Sequence, residues 1–138
     1  MTDQPSSLRQ RIDAISDDPS TPVGQLRDMV SHFVAERDWR QFHAPKNISM
    51  ALAIEAAELM EHFQWITVEA SRAEMEPDKR AAIGEEIADV MCYAMALCNE
   101  MNFDIATLMR EKMKKNVLKY PADEFRGRYG KEDPPKEA

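Results

Sequence analysis

Two runs of this sequence leave room for little except helix. ALAIEAAELMEHFQW and IGEEIADVMCYAMAL, residues 51–65 and 83–97, are rich in Ala, Leu, Met and Glu and contain no proline. Each carries an acidic pair three residues apart, Glu55 with Glu58 and Glu86 with Asp89, among residues that otherwise build cores. In a helix, that spacing puts both members of a pair on one face, beside apolar surface. Unit charges 4 Å apart repel by roughly 4 kcal/mol at an effective dielectric near 20, so converging carboxylates imply a bound cation or a shared proton.

The remaining signals support an all-α fold. Only 4 glycines occur in 138 residues, and no strand alternation, internal repeat or Gly-rich phosphate loop is present. Residues 1–20 are polar and are expected to be a mobile arm or an irregular lead-in. Thr21 and Pro22 then supply an N-cap and a first-turn proline for helix one, which runs to about Arg37 with Leu26, Val30, Phe33 and Val34 as its apolar stripe. DWRQFHAPKN reads as a loop rich in aromatic and polar side chains, where Pro45 argues against a continuous helix.

Helix two is expected from about Asn47 to Trp65, helix three from about Asp78 to Met101, and helix four from about Ile105 to Tyr120, capped by Asp104 and stopped by Pro121. A short helix is possible in TVEASRAEMEPD between helices two and three. The result is a four-helix-bundle-like domain over 21–121, followed by a flexible tail over 122–138. Leu52, Ala56, Leu59 and Phe63 mark one face of helix two, while Met50, Ile54, Ala57 and Met60 fill the other. Helix three has Ile83, Ile87, Val90, Ala94 and Leu97 as its stripe. A helix apolar nearly all round needs more cover than a domain of this size provides, which points to an oligomer.

Packing helices two and three through their core stripes would bring Glu55, Glu58, Glu86 and Asp89 to one cleft. An all-oxygen donor set suits Mg²⁺ or Mn²⁺ better than Zn²⁺. A di-iron bundle would need Glu-x-x-His pairs, but Glu61 stands three residues after Glu58 and His62 is one place out of step. The net charge of -7 argues against a nucleic-acid polymer, while a metal-bridged nucleotide suits an acidic protein. Cys92 and Cys98 read as small core residues of a reducing compartment, and no apolar segment reaches membrane length, so a cytoplasmic protein is expected.

The blocks ERDWRQFHAPKN, EAAELMEHFQW, EEIADVMCYAMAL and KMKKNVLKYP occur in that order. With the paired acids, they resemble the all-α nucleoside triphosphate pyrophosphohydrolases, the MazG-like superfamily, and within it the dCTP pyrophosphatase branch. The resemblance spans about residues 22 to 121. It implies Mg²⁺-dependent hydrolysis of a (deoxy)nucleoside triphosphate, with a pyrimidine or modified base, to a monophosphate and pyrophosphate.

By position it makes Glu55, Glu58, Glu86 and Asp89 metal ligands, with Glu55 or Glu58 as general base. Trp39, Arg40, Gln41, Phe42 and His43 would line the nucleotide pocket, Trp65 and Tyr93 would touch base or sugar, and Lys112, Asn116 and Tyr120 would reach phosphates. It also implies a homodimer or homotetramer with sites built between subunits. Some relatives place a His near the base in helix one, where this chain has Val30, with His32 two positions on. Two expectations compete with this one: a non-catalytic helical nucleotide- or metal-binding or dimerisation module, and an enzyme acting on another phosphorylated ligand such as a phosphoribosyl compound.

Overall fold

A computed structural model of the protein describes residues 7–128, with Gly130 and Glu132. The fold is all-α, with no strand among the described residues. The helices are α1 (Leu8–Asp13), α2 (Val23–Glu36), α3 (Pro45–Glu61), α4 (Val68–Arg72), α5 (Pro77–Glu100), α6 (Ile105–Lys119) and α7 (Ala122–Phe125), with a 3-10 turn at Trp39–Phe42. The chain divides into two compact units, the first ending at Phe103 and the second beginning at Asp104, where one domain was expected over 21–121. No described helix is long and apolar enough to cross a membrane.

In the first unit α3 packs on α5, α5 on α2, and α2 on both α1 and the 3-10 turn. Two reciprocal hydrogen bonds clamp α2 to α5: Arg27 Nε donates to Asn99 Oδ1 at 3.0 Å, and Asn99 Nδ2 donates to the Arg27 carbonyl at 3.0 Å. Among the described residues, Leu8, Val30, Ile48, Met95 and Ala96 are the buried apolar ones. The stripes expected on the helices are only partly covered, and Ile87 of α5 is 49% exposed.

Several boundaries differ from expectation for local reasons. Leu8–Asp13 is helical where an irregular lead-in was expected. The Ser7 hydroxyl accepts from the Gln10 N–H while the Gln10 side chain accepts from the Ser7 N–H, a capping box that starts α1. Thr21 does not cap α2: its hydroxyl accepts from the Ser16 N–H at 3.2 Å, and Pro22 takes the cap position without a side-chain bond. Pro45 opens α3 rather than breaking it, since the first helical position needs no N–H.

At its other end α3 stops at Glu61 instead of reaching Trp65. There the Phe63 N–H bonds to the Met60 carbonyl and the Ile66 N–H to that of Phe63, tightening the chain into turns. In the second unit Asp104 caps α6, its Oδ1 accepting from the Thr107 N–H at 2.8 Å, and the helix ends just before Pro121. Ala122–Phe125 then forms a further short helix within the stretch expected to be a flexible tail. The rest of the expected arm and tail lies outside the described residues.

Candidate active site

The α3–α5 contact brings one carboxylate from α3 and two from α5 together. Oxygens of Glu55, Glu86 and Asp89 all lie within 4.8 Å of one another. Glu86 and Asp89 share a face because three residues of helix advance by about 300°, nearly a full turn. Glu58 stands outside this set, exposed on α3 one turn beyond Glu55. Its charge still acts on the cluster. Partial burial, then the negative charges of Glu58, Asp89 and Glu86, raise the Glu55 carboxyl above the ordinary glutamate range.

This donor set fits a hard cation. It offers oxygens alone, with no imidazole or thiolate among them, and the neighbouring carboxylates that help raise Glu55 are the charge a cation would neutralise.

Glu55 and Asp89 also line a cavity of about 460 Å³. From α5 it receives Cys92, Tyr93 and Ala96 as well as Asp89. Met29, Val30, Phe33 and Val34 of α2 face it, with Leu8 and Ile12 of α1. Trp39 and His43 complete the lining. Burial, then the charge of Asp89, pushes the Cys92 thiol up, which keeps it protonated and unreactive at neutral pH. Its place is in the wall.

The aromatic corner is set by the backbone at Asp38, which adopts the left-handed conformation (φ 51°) that Asp tolerates better than most residues. The chain there turns into the 3-10 segment, braced by Gln41 Nε2 donating to the Asp38 carbonyl and carboxylate at 3.0 Å each. Trp39 meets Phe33 edge to face at 5.7 Å and lies nearly parallel to His43 at 6.2 Å. His43 Nδ1 donates to the Trp39 carbonyl at 2.8 Å, which leaves Nε2 of the neutral ring as an acceptor. A second cavity of about 340 Å³ shares Val30, Val34, His43 and Ala96 with the first and adds Arg27, Arg40 and Asn99.

Of the residues singled out in the sequence, Trp39, His43, Tyr93, Glu55 and Asp89 meet in one cavity, and Glu86 joins them through the carboxylate cluster. Arg40 lines the neighbouring cavity. Gln41 acts as a brace, while Phe42 (61% exposed) and Trp65 (87% exposed) line neither cavity. Lys112, Asn116 and Tyr120 belong to the second unit, where Tyr120 packs edge to face on Phe125 at 5.2 Å. Val30 is buried and lines both cavities, whereas His32 donates from Nδ1 to the Asp28 carbonyl at 2.9 Å and lines neither.

Leu8, Ile12, Met29 and Cys92 were not foreseen as site residues. The signal for the first two was present as Ser7-x-x-Gln10 overlapping an apolar pair four apart, Leu8 within it and Ile12 just after it.

Residues 50–131 match the MazG-like family. The chain belongs to that family. Among its relatives, the dCTP pyrophosphatase 1 of Rattus norvegicus is 38% identical over 110 residues, 79% of this chain and 65% of that protein. The dCTP pyrophosphatase 1 of Homo sapiens is 40% identical over 105 residues, 75% of this chain and 62% of that protein. This MazG-like chain therefore spans just under two thirds of the length of these relatives. A crystal structure of a pyrophosphatase from Archaeoglobus fulgidus superposes with a TM-score of 0.67 at 34% identity, covering 78% of this chain and 98% of that one.

Proposed function

We propose that this MazG-like chain is a Mg²⁺-dependent nucleoside triphosphate pyrophosphohydrolase of the nucleotide pool, with Mn²⁺ as a possible substitute, acting on dCTP-like pyrimidine or modified (deoxy)nucleotides. The observation that carries this reading is the joining of two features: carboxylates within 4.8 Å of each other open on a cavity walled by Trp39, Phe33 and Tyr93. Its volume of about 460 Å³ falls within the roughly 300–1,000 Å³ of small-molecule sites. The names of the relatives, dCTP pyrophosphatase and pyrophosphatase, support the same bond and base class.

Electrostatics dictates the division of labour. A triphosphate adds about four negative charges to a cluster that already strains to ionise Glu55, so it binds there only with divalent metal. Glu55, Glu86 and Asp89 would hold that metal. When bound, it supplies charge neutralisation and Lewis acidity toward the phosphate oxygens.

Glu58, outside the oxygen cluster and exposed, keeps a carboxylate free to take the proton of the attacking water. The water oxygen bonds to the α-phosphorus, the bond to the bridging oxygen breaks, and pyrophosphate leaves. Trp39 offers a flat face to the base and His43 Nε2 an acceptor. Lys112, Asn116 and Tyr120 are assigned to the phosphates, and the working form is a homodimer or homotetramer in the cytoplasm.

Steady-state turnover of a panel of ribo- and deoxynucleoside triphosphates, with Mg²⁺ and with chelator, tests the proposal. Pyrimidine deoxynucleotides are expected to turn over fastest, and chelator or Glu86→Gln to abolish turnover. Full activity in chelator would contradict the metal role, and binding without turnover would favour a non-catalytic module.

A further inference from the structure

We propose that α1 forms a base-binding wall of the cavity, with Leu8 anchoring the helix and Ile12 as the residue that determines nucleotide affinity; this rests on the nucleotide reading of the site. Helix α1 lies outside the residues matched to the family, which begin at 50, yet both of its apolar residues line the cavity. Leu8 and Ile12 are four apart and so share one face of the helix. A helix of six residues has no stability of its own, so α1 exists because it is docked on α2. The docking contacts are the Leu8 N–H donating to Glu36 Oε1 at 3.3 Å, the Arg11–Asp28 ion pair, and the burial of Leu8.

Leu8 is 8% exposed and serves as the anchor, whereas Ile12 is 49% exposed while lining the cavity. That leaves the Ile12 side chain as surface for a ligand to cover. The wall of Leu8, Ile12, Met29 and Phe33 offers no side-chain hydrogen bond, whereas the wall from α3 and α5 carries the carboxylates. A nucleoside triphosphate has one flat, uncharged part that gains by leaving water against the first wall, the base. Its phosphates gain nothing there. Helix α1 therefore contributes to binding of the base and leaves phosphate binding untouched.

Calorimetric titration with the Mg²⁺ complexes of α,β-imido-dCTP and of inorganic tripolyphosphate, which lacks a base, separates these parts. Ile12→Asp is expected to raise the Kd of the imido nucleotide by about tenfold, the loss of an apolar contact of roughly half a side chain, and to leave that of tripolyphosphate unchanged. Ile12→Ala, with helicity checked by circular dichroism, should shift the nucleotide Kd the same way by less. Arg9→Ala, on the exposed side of α1, should change neither.

An unchanged nucleotide Kd in both Ile12 variants, or an equal loss for tripolyphosphate, overturns the assignment. If the wild type binds the imido nucleotide but cleaves no nucleotide, the proposed hydrolysis falls and the α1 assignment is still decided by these constants. If the wild type does not bind the imido nucleotide, both fall.

Discussion

Glu55 is the residue at which the charge of the site becomes a measurable property. Its folded state binds a proton more tightly than the unfolded chain does, because of partial burial and the charges of Glu58, Asp89 and Glu86. A raised carboxyl contributes stability below the ordinary glutamate range, and that contribution is lost as pH rises through the raised value. Metal-free Glu55→Gln should therefore unfold at a higher urea concentration than the wild type near neutral pH, with the gap closing at acid pH. Equal midpoints at neutral pH would show that the clustered charge is already dissipated in solvent. The neighbouring carboxylate tests a different role. Glu58→Gln is expected to lower kcat by roughly 10²- to 10⁴-fold while Mg²⁺ still binds in calorimetry. Loss of Mg²⁺ binding would instead place Glu58 among the ligands.

At the scale of elements, the α2–α5 clamp holds the two sides of the cavity in register. Asn99→Ala removes both of its hydrogen bonds to Arg27 and is expected to cost about 1–3 kcal/mol in urea unfolding. A loss near zero would mean that helix packing alone sets the cavity. The helix that forms through strong local signals was legible in the sequence, since Asp104 caps α6 and Pro121 follows its end, while the short α4 was expected without the cap that Thr67 gives it through the Ala70 N–H. Thr21 misled because its hydroxyl serves the Ser16 N–H, a competing local partner that no pattern announces. Helix α1 was missed because a polar N-terminal stretch hides a capping box and two apolar residues whose value comes only from docking on α2. The acids fared similarly. Spacing put Glu55 and Glu58 on one face, but the oxygen positions that pair Glu55 with α5 and leave Glu58 apart depend on packing between the helices.

At the scale of the whole molecule, much apolar surface of the described residues is uncovered. Among the described residues, Met50, Ile54 and Met60 of α3 are each 56% exposed, Met91 of α5 is 50% exposed, and Met113 and Val117 of α6 are 55% and 65% exposed. Such exposed apolar faces, that of α3 above all, are the surfaces expected to be covered by further copies of the chain. Sedimentation equilibrium should accordingly give a mass two or four times 15.8 kDa, and Ile54→Lys should move it toward one copy. A wild-type chain that sediments as a monomer at micromolar concentration would contradict this. The proposed hydrolysis would break the bond between the α and β phosphates of the nucleotide. ³¹P NMR of dCTP incubated with the protein and Mg²⁺ reads that bond directly. The expected spectrum shows deoxycytidine monophosphate and pyrophosphate growing together, whereas orthophosphate with a diphosphate nucleotide, or an unchanged triphosphate, would contradict the account.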